Sequence, residues 1–174
     1  MSHIEHRVHI SASVDRVFEA FTRYAEYPNF MKSVDQVRVD DNEPDLLHWH
    51  LSLATVPGIT VTRVRVDRVA ERVVWRSEKG IENSGTVALR SLGSGATELS
   101  MVVDFEPEGF LESVGDELGV ISHRIEGDLT RFAAYVESAG DQAEGSSSVT
   151  DTLGKGGTPS DQLTERITPG GAGQ

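Results

Sequence analysis

The sequence predicts an α+β domain in which a curved antiparallel sheet of about seven strands wraps around a long C-terminal helix. Short segments between residues 4 and 105 alternate apolar and polar side chains with a period of two, as strands with one buried face do. Two other segments, one after the first strand and one beyond the last, repeat apolar residues at helical spacing. The apolar content then falls sharply after Ser138, where the predicted domain ends.

The first strand is followed directly by two short helices. Residues 4–10 alternate, and Ser13 is the predicted N-cap of the first helix. Asp15 falls in the first turn, where a negative charge suits the helix dipole. Residues 24–27 predict a second helical segment that Pro28 ends. The apolar face of the first helix is formed by Val14, Val17, Phe18 and Phe21.

The middle of the chain predicts the rest of the sheet. Glycine and proline supply turns at residues 56–58 and 93–95. Strands with one apolar face are typical of an antiparallel sheet that is covered on one side. The predicted strands span residues 34–39, 47–53, 59–69, 73–77, 86–90 and 99–105.

The last element is a long amphipathic helix that begins near Phe110. It spans ~27 residues, or roughly 40 Å. Its apolar stripe needs a large partner surface, and the sheet is the one predicted element that offers it. The stripe consists of Val114, Leu118, Ile121, Ile125, Leu129, Phe132 and Val136.

Length and composition predict one folded body and a tail. A chain of 174 residues with 37% hydrophobic content supplies a single core, which we assign to residues 1–138. Residues 139–174 are mostly Gly, Ser, Thr, Asp and Gln, too polar to offset the entropy of ordering. We expect them to form a disordered, acidic, Gly/Ser-rich tail.

The charge balance excludes several classes of partner. The formal net charge of −12 repels nucleic acid and anionic lipid surfaces. The chain has no cysteine, so it has no disulfides or thiolate chemistry. It has no run of the ~20 apolar residues that span a bilayer and no signal peptide pattern. We therefore expect a cytoplasmic protein without a nucleic-acid partner.

Several short stretches carry a family resemblance. They are residues 8–18 (VHISASVDRVF), 27–31 (YPNFM), 74–77 (VWRS), 83–87 (NSGTV), 97–99 (TEL) and 104–107 (DFEP). In this order they resemble the polyketide cyclase/dehydrase group of the START-like (SRPBCC) superfamily, over roughly residues 4–138. The resemblance implies the helix-grip fold, also called Bet v 1-like, with a cavity between sheet and helix that binds hydrophobic or aromatic small molecules. Relatives in that superfamily include aromatase/cyclases, quinone-binding and lipid-binding proteins, and proteins that act on other proteins.

Strand alternation predicts which side chains line that cavity. Two Trp indoles on its wall can stack on a planar ligand; the alternative is that both simply fill the core. The predicted lining is Trp49, Leu51, Thr62, Val64, Val73, Trp75, Val87, Leu89, Met101, Val103, Phe105, Leu118, Ile121 and Ile125.

The same alternation leaves the catalytic residues unassigned. Ring closure of a polyketide needs a base and a hydrogen-bond donor in the cavity, but the predicted lining contains no His, Asp, Glu or Lys. His48 and His50 lie on the face opposite Trp49 and have no evident third ligand, so we predict no metal site and no cofactor. Arg63 and Arg76 also point outward, where acidic side chains are abundant partners.

Three functions are compatible with these sequence patterns. We favour a protein that binds an apolar or aromatic small molecule of the polyketide, lipid or quinone-like kind. The alternative is a polyketide cyclase/dehydrase of the aromatase type that uses the same cavity. A third hypothesis is a protein-interaction module with a vestigial cavity. A homodimer through an edge strand or an exposed helix face is compatible with each.

Overall fold

The computed structural model describes residues 2–53, 56–106 and 117–153. The first strand, β1 (Ser2–Ile10), leads into α1 (Val14–Phe21) and a 3₁₀ helix (Tyr24–Asn29). Six strands follow before the long helix α2 (Glu117–Leu153). They are β2 (Val34–Val39), β3 (Leu46–Leu53), β4 (Val56–Asp67), β5 (Arg72–Lys79), β6 (Asn83–Gly93) and β7 (Ala96–Phe105).

The seven strands form one antiparallel sheet in the order β1-β7-β6-β5-β4-β3-β2. The strands from β2 to β7 pair with their neighbours in sequence, whereas β1 pairs with β7, so that Ser2 lies opposite Phe105. The predicted fold class, a curved antiparallel sheet combined with a C-terminal helix, is confirmed.

The local signals for α1 act as the sequence predicts. The Ser13 side chain accepts a hydrogen bond from the backbone N–H of Arg16 at 3.4 Å, and Asp15 lies in the first turn. The side of α1 that faces the sheet is buried, and it carries Val17, Phe18 and Phe21. The 3₁₀ helix includes Pro28 and ends one residue later, at Asn29.

Two arginines tie α2 to the N-terminal helices. Arg16 Nη2 donates a hydrogen bond to the carbonyl oxygen of Val136 at 3.0 Å, and Arg131 Nε donates one to the carbonyl oxygen of Phe30 at 2.8 Å. The core lies between these contacts and the sheet. Its members from α2 are Leu129, Phe132, Ala133 and Val136.

The bounds of α2 differ from the predicted ones. The predicted start near Phe110 lies outside the described residues, and the helix is described from Glu117. Its backbone continues past Ser138, where a disordered tail was expected, to Leu153. Residues Met1–Asp141 form one compact unit, and the division at residue 138 stays a prediction. None of the helices described is long and apolar enough to cross a membrane.

A cavity between the sheet and the C-terminal helix

A cavity of about 350 Å³ lies between the inner face of the sheet, the 3₁₀ helix and the first turns of α2. Val120, one of its lining residues, is 47% exposed. Most of the predicted lining residues lie on its wall. They are Trp49, Leu51, Thr62, Val64, Val73, Trp75, Met101, Val103, Phe105, Ile121 and Ile125.

Two predicted residues lie elsewhere. Val87 and Leu89 of β6 are buried, but in the packed core rather than on the cavity wall. The alternation gave their side of the sheet correctly, but α1 packs over this part of β6 and fills the space that would otherwise be cavity. The side chain of Leu118 lies outside the described residues.

Both tryptophans are held by their indole N–H groups. Trp49 Nε1 donates to Thr62 Oγ1 at 2.8 Å, and Trp75 Nε1 donates to Asn83 Oδ1 at 3.0 Å. Because these donors are satisfied inside the protein, the rings contribute apolar surface to the cavity. Trp75 also lies against Gly85, where any Cβ would overlap the indole ring.

The helix contributes ionisable groups that the predicted lining lacks. Arg124 and Asp128 line the cavity, as does Glu106 at the end of β7. The expectation of a wall without acidic side chains is therefore wrong. Arg124 and Asp128 follow Ile121 by three and seven residues, which is the spacing of residues on one face of a helix. This spacing alone predicts that both lie on the same side of α2 as Ile121.

These groups also connect α2 to the segment after the 3₁₀ helix. Arg124 Nη1 donates to Ser33 Oγ at 3.4 Å. Asp128 Oδ1 accepts a hydrogen bond from the backbone N–H of Lys32 at 3.2 Å and forms an ion pair with Arg131. One side of the cavity is thus bounded by polar contacts between α2 and residues 32–33.

Two tyrosines of the 3₁₀ helix complete the wall, and the strand pattern gave no signal for them. The Tyr27 hydroxyl donates to the carbonyl oxygen of Phe21 at 2.6 Å. The hydroxyl oxygen of Tyr24 is buried and has no hydrogen-bond partner among the described residues. Burial raises the pKa of Tyr24 above its ordinary value and the pKa of Tyr27 well above it, so both hydroxyls stay protonated at neutral pH.

The histidine and acidic residues outside the cavity make structural contacts. His48 Nε2 lies 2.8 Å from Asp40 Oδ2, while His50 is exposed. Hydrogen bonds from the backbone of Asn42, the His48 side chain and the backbone of Glu43 lower the pKa of Asp40 to about 2. No group of three His, Cys, Asp or Glu side chains in the described ranges is arranged to hold a metal ion.

Arg63 pairs with three carboxylates on the outer side of the sheet, as predicted for the outward arginines. Its guanidinium lies 2.9 Å from Glu43, 2.8 Å from Asp45 and 2.5 Å from Glu78. Arg63 lies on β4 and Glu78 on β5, while Glu43 and Asp45 lie in the turn before β3. None of these four residues lines the cavity.

Comparison with known proteins identifies the family. The sequence profile of the family described as "Polyketide cyclase / dehydrase and lipid transport" matches residues 1–137. An uncharacterised 17.2 kDa protein from Streptomyces lincolnensis is 29% identical over 146 residues, which cover 83% of this chain and 96% of that protein.

Solved structures show the same fold. The Zhui aromatase/cyclase from a Streptomyces species superposes with a TM-score of 0.67 at 19% identity, over 78% of this chain and 93% of that one. A START superfamily protein from Mycobacterium smegmatis gives a TM-score of 0.63 at 16% identity, over 81% and 98% of the two chains. With the profile match over residues 1–137, the chain belongs to the polyketide cyclase/dehydrase and lipid transport family.

Proposed function

We propose that this protein binds a hydrophobic or aromatic small molecule, of the polyketide, lipid or quinone-like kind, in the cavity between the sheet and α2. The observation that carries the proposal is the cavity itself, about 350 Å³ in volume and walled mainly by apolar side chains. Small-molecule sites are typically concave, mostly apolar and of ~300–1,000 Å³. Membership of a family of cyclases and lipid transporters supports the same conclusion.

The exposure of the wall supports a ligand more than a vestigial cavity. Trp49, Leu51, Trp75, Val103 and Ile125 are only partly buried, although each belongs to the apolar face of its element. A ligand that covers these side chains removes apolar surface from water, which favours binding. A protein-interaction module with a vestigial cavity predicts the opposite, a filled core in this region.

Intrinsic fluorescence provides a direct test. The chain has two tryptophans and both line the cavity, so all of its Trp emission reports on this site. Titration with quinones, aromatic polyketides and fatty acids is expected to give saturable quenching with at least one class, and native mass spectrometry is expected to show the same complex. Trp49→Phe and Trp75→Phe each leave one reporter and show which wall the ligand contacts. The absence of both a bound species and a fluorescence response across the panel would contradict binding.

The second candidate is a polyketide cyclase/dehydrase, favoured by Arg124 and Asp128 on the cavity wall. Aldol-type ring closure needs a base to take a proton next to one carbonyl, a donor to stabilise the enolate, and a second carbonyl that the new carbanion attacks. The Asp128 carboxylate is the candidate base, and Arg124 or the protonated Tyr24 hydroxyl is the candidate donor. Loss of water from the aldol product then completes the dehydration.

Variants of the wall separate binding from turnover. Asp128→Asn keeps an oxygen that accepts from the Lys32 N–H but removes the base. If the protein is a cyclase, this variant is expected to bind the ligand found by fluorescence and to lose turnover of it, as followed by mass spectrometry of the products. Binding by the wild type without any turnover would contradict the enzyme and leave the binding function in place.

A further inference from the structure

We propose that the cavity selects ligands that present a carbonyl oxygen to the Tyr24 hydroxyl, so that planar ketones or quinones bind in preference to hydrocarbons of the same shape. This inference rests on the proposed binding function and adds the chemical class of the ligand.

The three tyrosines of the chain differ in what their hydroxyls contact. Tyr27 donates to the carbonyl oxygen of Phe21 at 2.6 Å, and Tyr135 donates to Glu26 Oε2 at 2.8 Å. The Tyr24 hydroxyl is buried without a partner in the described part of the chain, yet it belongs to a residue that lines the cavity. The Tyr24 oxygen has almost no accessible surface in the ligand-free protein, so a ligand atom reaches it only when neighbouring side chains shift. A buried polar group without a partner is costly, and a hydrogen bond to such a ligand atom offsets that cost.

The other neutral polar side chains of the wall are already engaged. Thr60 Oγ1 donates to the carbonyl oxygen of Lys79 at 2.9 Å, and Thr62 Oγ1 accepts from Trp49. Asn83 accepts from Trp75 and donates to the carbonyl oxygen of Ile81 at 2.8 Å. Of the neutral polar side chains described on this wall, the Tyr24 hydroxyl is therefore the one that makes no hydrogen bond at all.

The protonation state of Tyr24 decides which ligand atom fits. Burial raises the pKa of this phenol, so it keeps its proton at neutral pH and can donate a hydrogen bond. A carbonyl oxygen is a neutral acceptor and carries no charge that must be desolvated, unlike a fatty-acid carboxylate. The net charge of −12 also disfavours an anionic ligand.

The neighbouring rings favour a planar ligand. Tyr24 packs edge-on against Tyr27 with ring centroids 5.8 Å apart, and Tyr27 packs against Trp49 at 5.7 Å. Tyr24, Tyr27 and Trp49 thus form a row of rings along one wall, with the unpaired hydroxyl belonging to the ring at its end. A flat molecule can contact this row while its oxygen meets Tyr24.

The test uses two probes of nearly equal shape, 2-acetylnaphthalene and 2-ethylnaphthalene. The dissociation constant of each is measured by Trp quenching in the wild type and in Tyr24→Phe. Comparing the ratio of the two constants between the proteins removes the difference in water solubility between the probes. The preference for the ketone is expected to fall roughly three- to tenfold in Tyr24→Phe, the range set by one neutral hydrogen bond.

Infrared spectroscopy gives a second readout. The carbonyl stretch of the bound ketone is expected at lower wavenumber in the wild type than in Tyr24→Phe, because a hydrogen bond weakens the C=O bond. Tyr135→Phe is the matched control: it also loses a hydroxyl from the aromatic region, but Tyr135 does not line the cavity. Its ketone preference and carbonyl stretch are expected to equal those of the wild type.

The outcomes separate the two proposals. If both probes bind and Tyr24→Phe leaves their ratio and the carbonyl stretch unchanged, the role of Tyr24 is overturned and the binding function stands. If neither probe binds the wild type and the wider ligand panel also fails, the binding function is overturned, and the inference with it.

Discussion

The space between the sheet and α2 has a filled half and an open half. In the filled half, Phe132, Ala133 and Val136 are buried in the core and do not line the cavity. In the open half, two to three turns earlier on the same helix, Ile121 and Ile125 are only partly buried and line the cavity. The same helix and the same sheet therefore produce two different interiors.

The difference comes from the N-terminal helices. Phe132 packs against Phe21 and Phe30 with ring centroids 5.7 Å and 5.1 Å apart, so aromatic side chains from α1 and the end of the 3₁₀ helix fill one half. The open half has the Trp49 and Trp75 rings on its wall and the cavity between them and α2. We infer that the filled half carries most of the stability, which leaves the open half free to vary for binding.

The largest effect is expected from truncation in the filled half. Phe132→Ala is expected to lower the free energy of unfolding by about 3–5 kcal/mol, because the ring is fully buried and a cavity replaces it. Ile125→Ala, on the same helix in the open half, is expected to cost less than half as much. Urea denaturation of both variants measures the difference, and equal costs would contradict the division into halves.

The second-largest effect on stability is expected at Gly85, which lies against the Trp75 ring in the open half. In Gly85→Ala the new methyl group overlaps the Trp75 ring and comes within 2.6 Å of the carbonyl oxygen of Val102, which is expected to cost about 1–3 kcal/mol. The displaced indole is also expected to weaken ligand-induced quenching. Gly58→Ala is the control, since the nearest atom to its Cβ is 3.6 Å away, and it is expected to leave stability and quenching near wild type.

The two tyrosines of the 3₁₀ helix provide a finer comparison. Tyr27→Phe removes a donor and leaves the Phe21 carbonyl unpaired, so a loss of about 1 kcal/mol in unfolding free energy is expected. Tyr24→Phe removes a hydroxyl that has no partner in the described structure and is expected to cost nothing or to stabilise the ligand-free protein. A larger loss for Tyr24→Phe than for Tyr27→Phe in thermal denaturation would show that the Tyr24 hydroxyl is satisfied internally.

The smallest effect lies outside both halves, at the turn between β2 and β3. The folded pKa of Asp40 is lowered to about 2 from 3.8, so its contribution to stability is present above the unfolded value and is lost as the pH falls from about 4 towards 2. Asp40→Asn is expected to flatten the pH dependence of unfolding in this window without changing ligand affinity at pH 7. Asp41→Asn, at a side chain 89% exposed, is the control and is expected to retain the wild-type dependence.

Much of the fold follows from local patterns, because each strand buries one face and each helix buries one stripe. The same patterns predicted only part of the cavity wall. Alternation gave the correct face for Val87 and Leu89 of β6, but which part of that face meets α1 and which meets the cavity depends on tertiary packing. Arg124 and Asp128 each directly precede a residue of the predicted apolar stripe, and an apolar pattern gives no signal for charged side chains beside it.

Tyr24 shows a different limit of prediction from the sequence. Its helical segment was predicted, but a partnerless hydroxyl is a property of the packed interior, since its detection requires the positions of every neighbouring donor and acceptor. Sequence patterns report which face of an element is buried. They do not report which buried polar atoms find partners.

The pairing of β1 with β7 has a consequence for the order of events during synthesis. The strands from β2 to β7 can join neighbour to neighbour as the chain leaves the ribosome, but β1 must wait until residues 96–105 have been made. The Arg16 contact to Val136 waits longer still, for a carbonyl 120 residues downstream. Contacts between residues so far apart in sequence slow folding. The N-terminal strand therefore stays unpaired during much of translation, when its free backbone groups can pair with other chains.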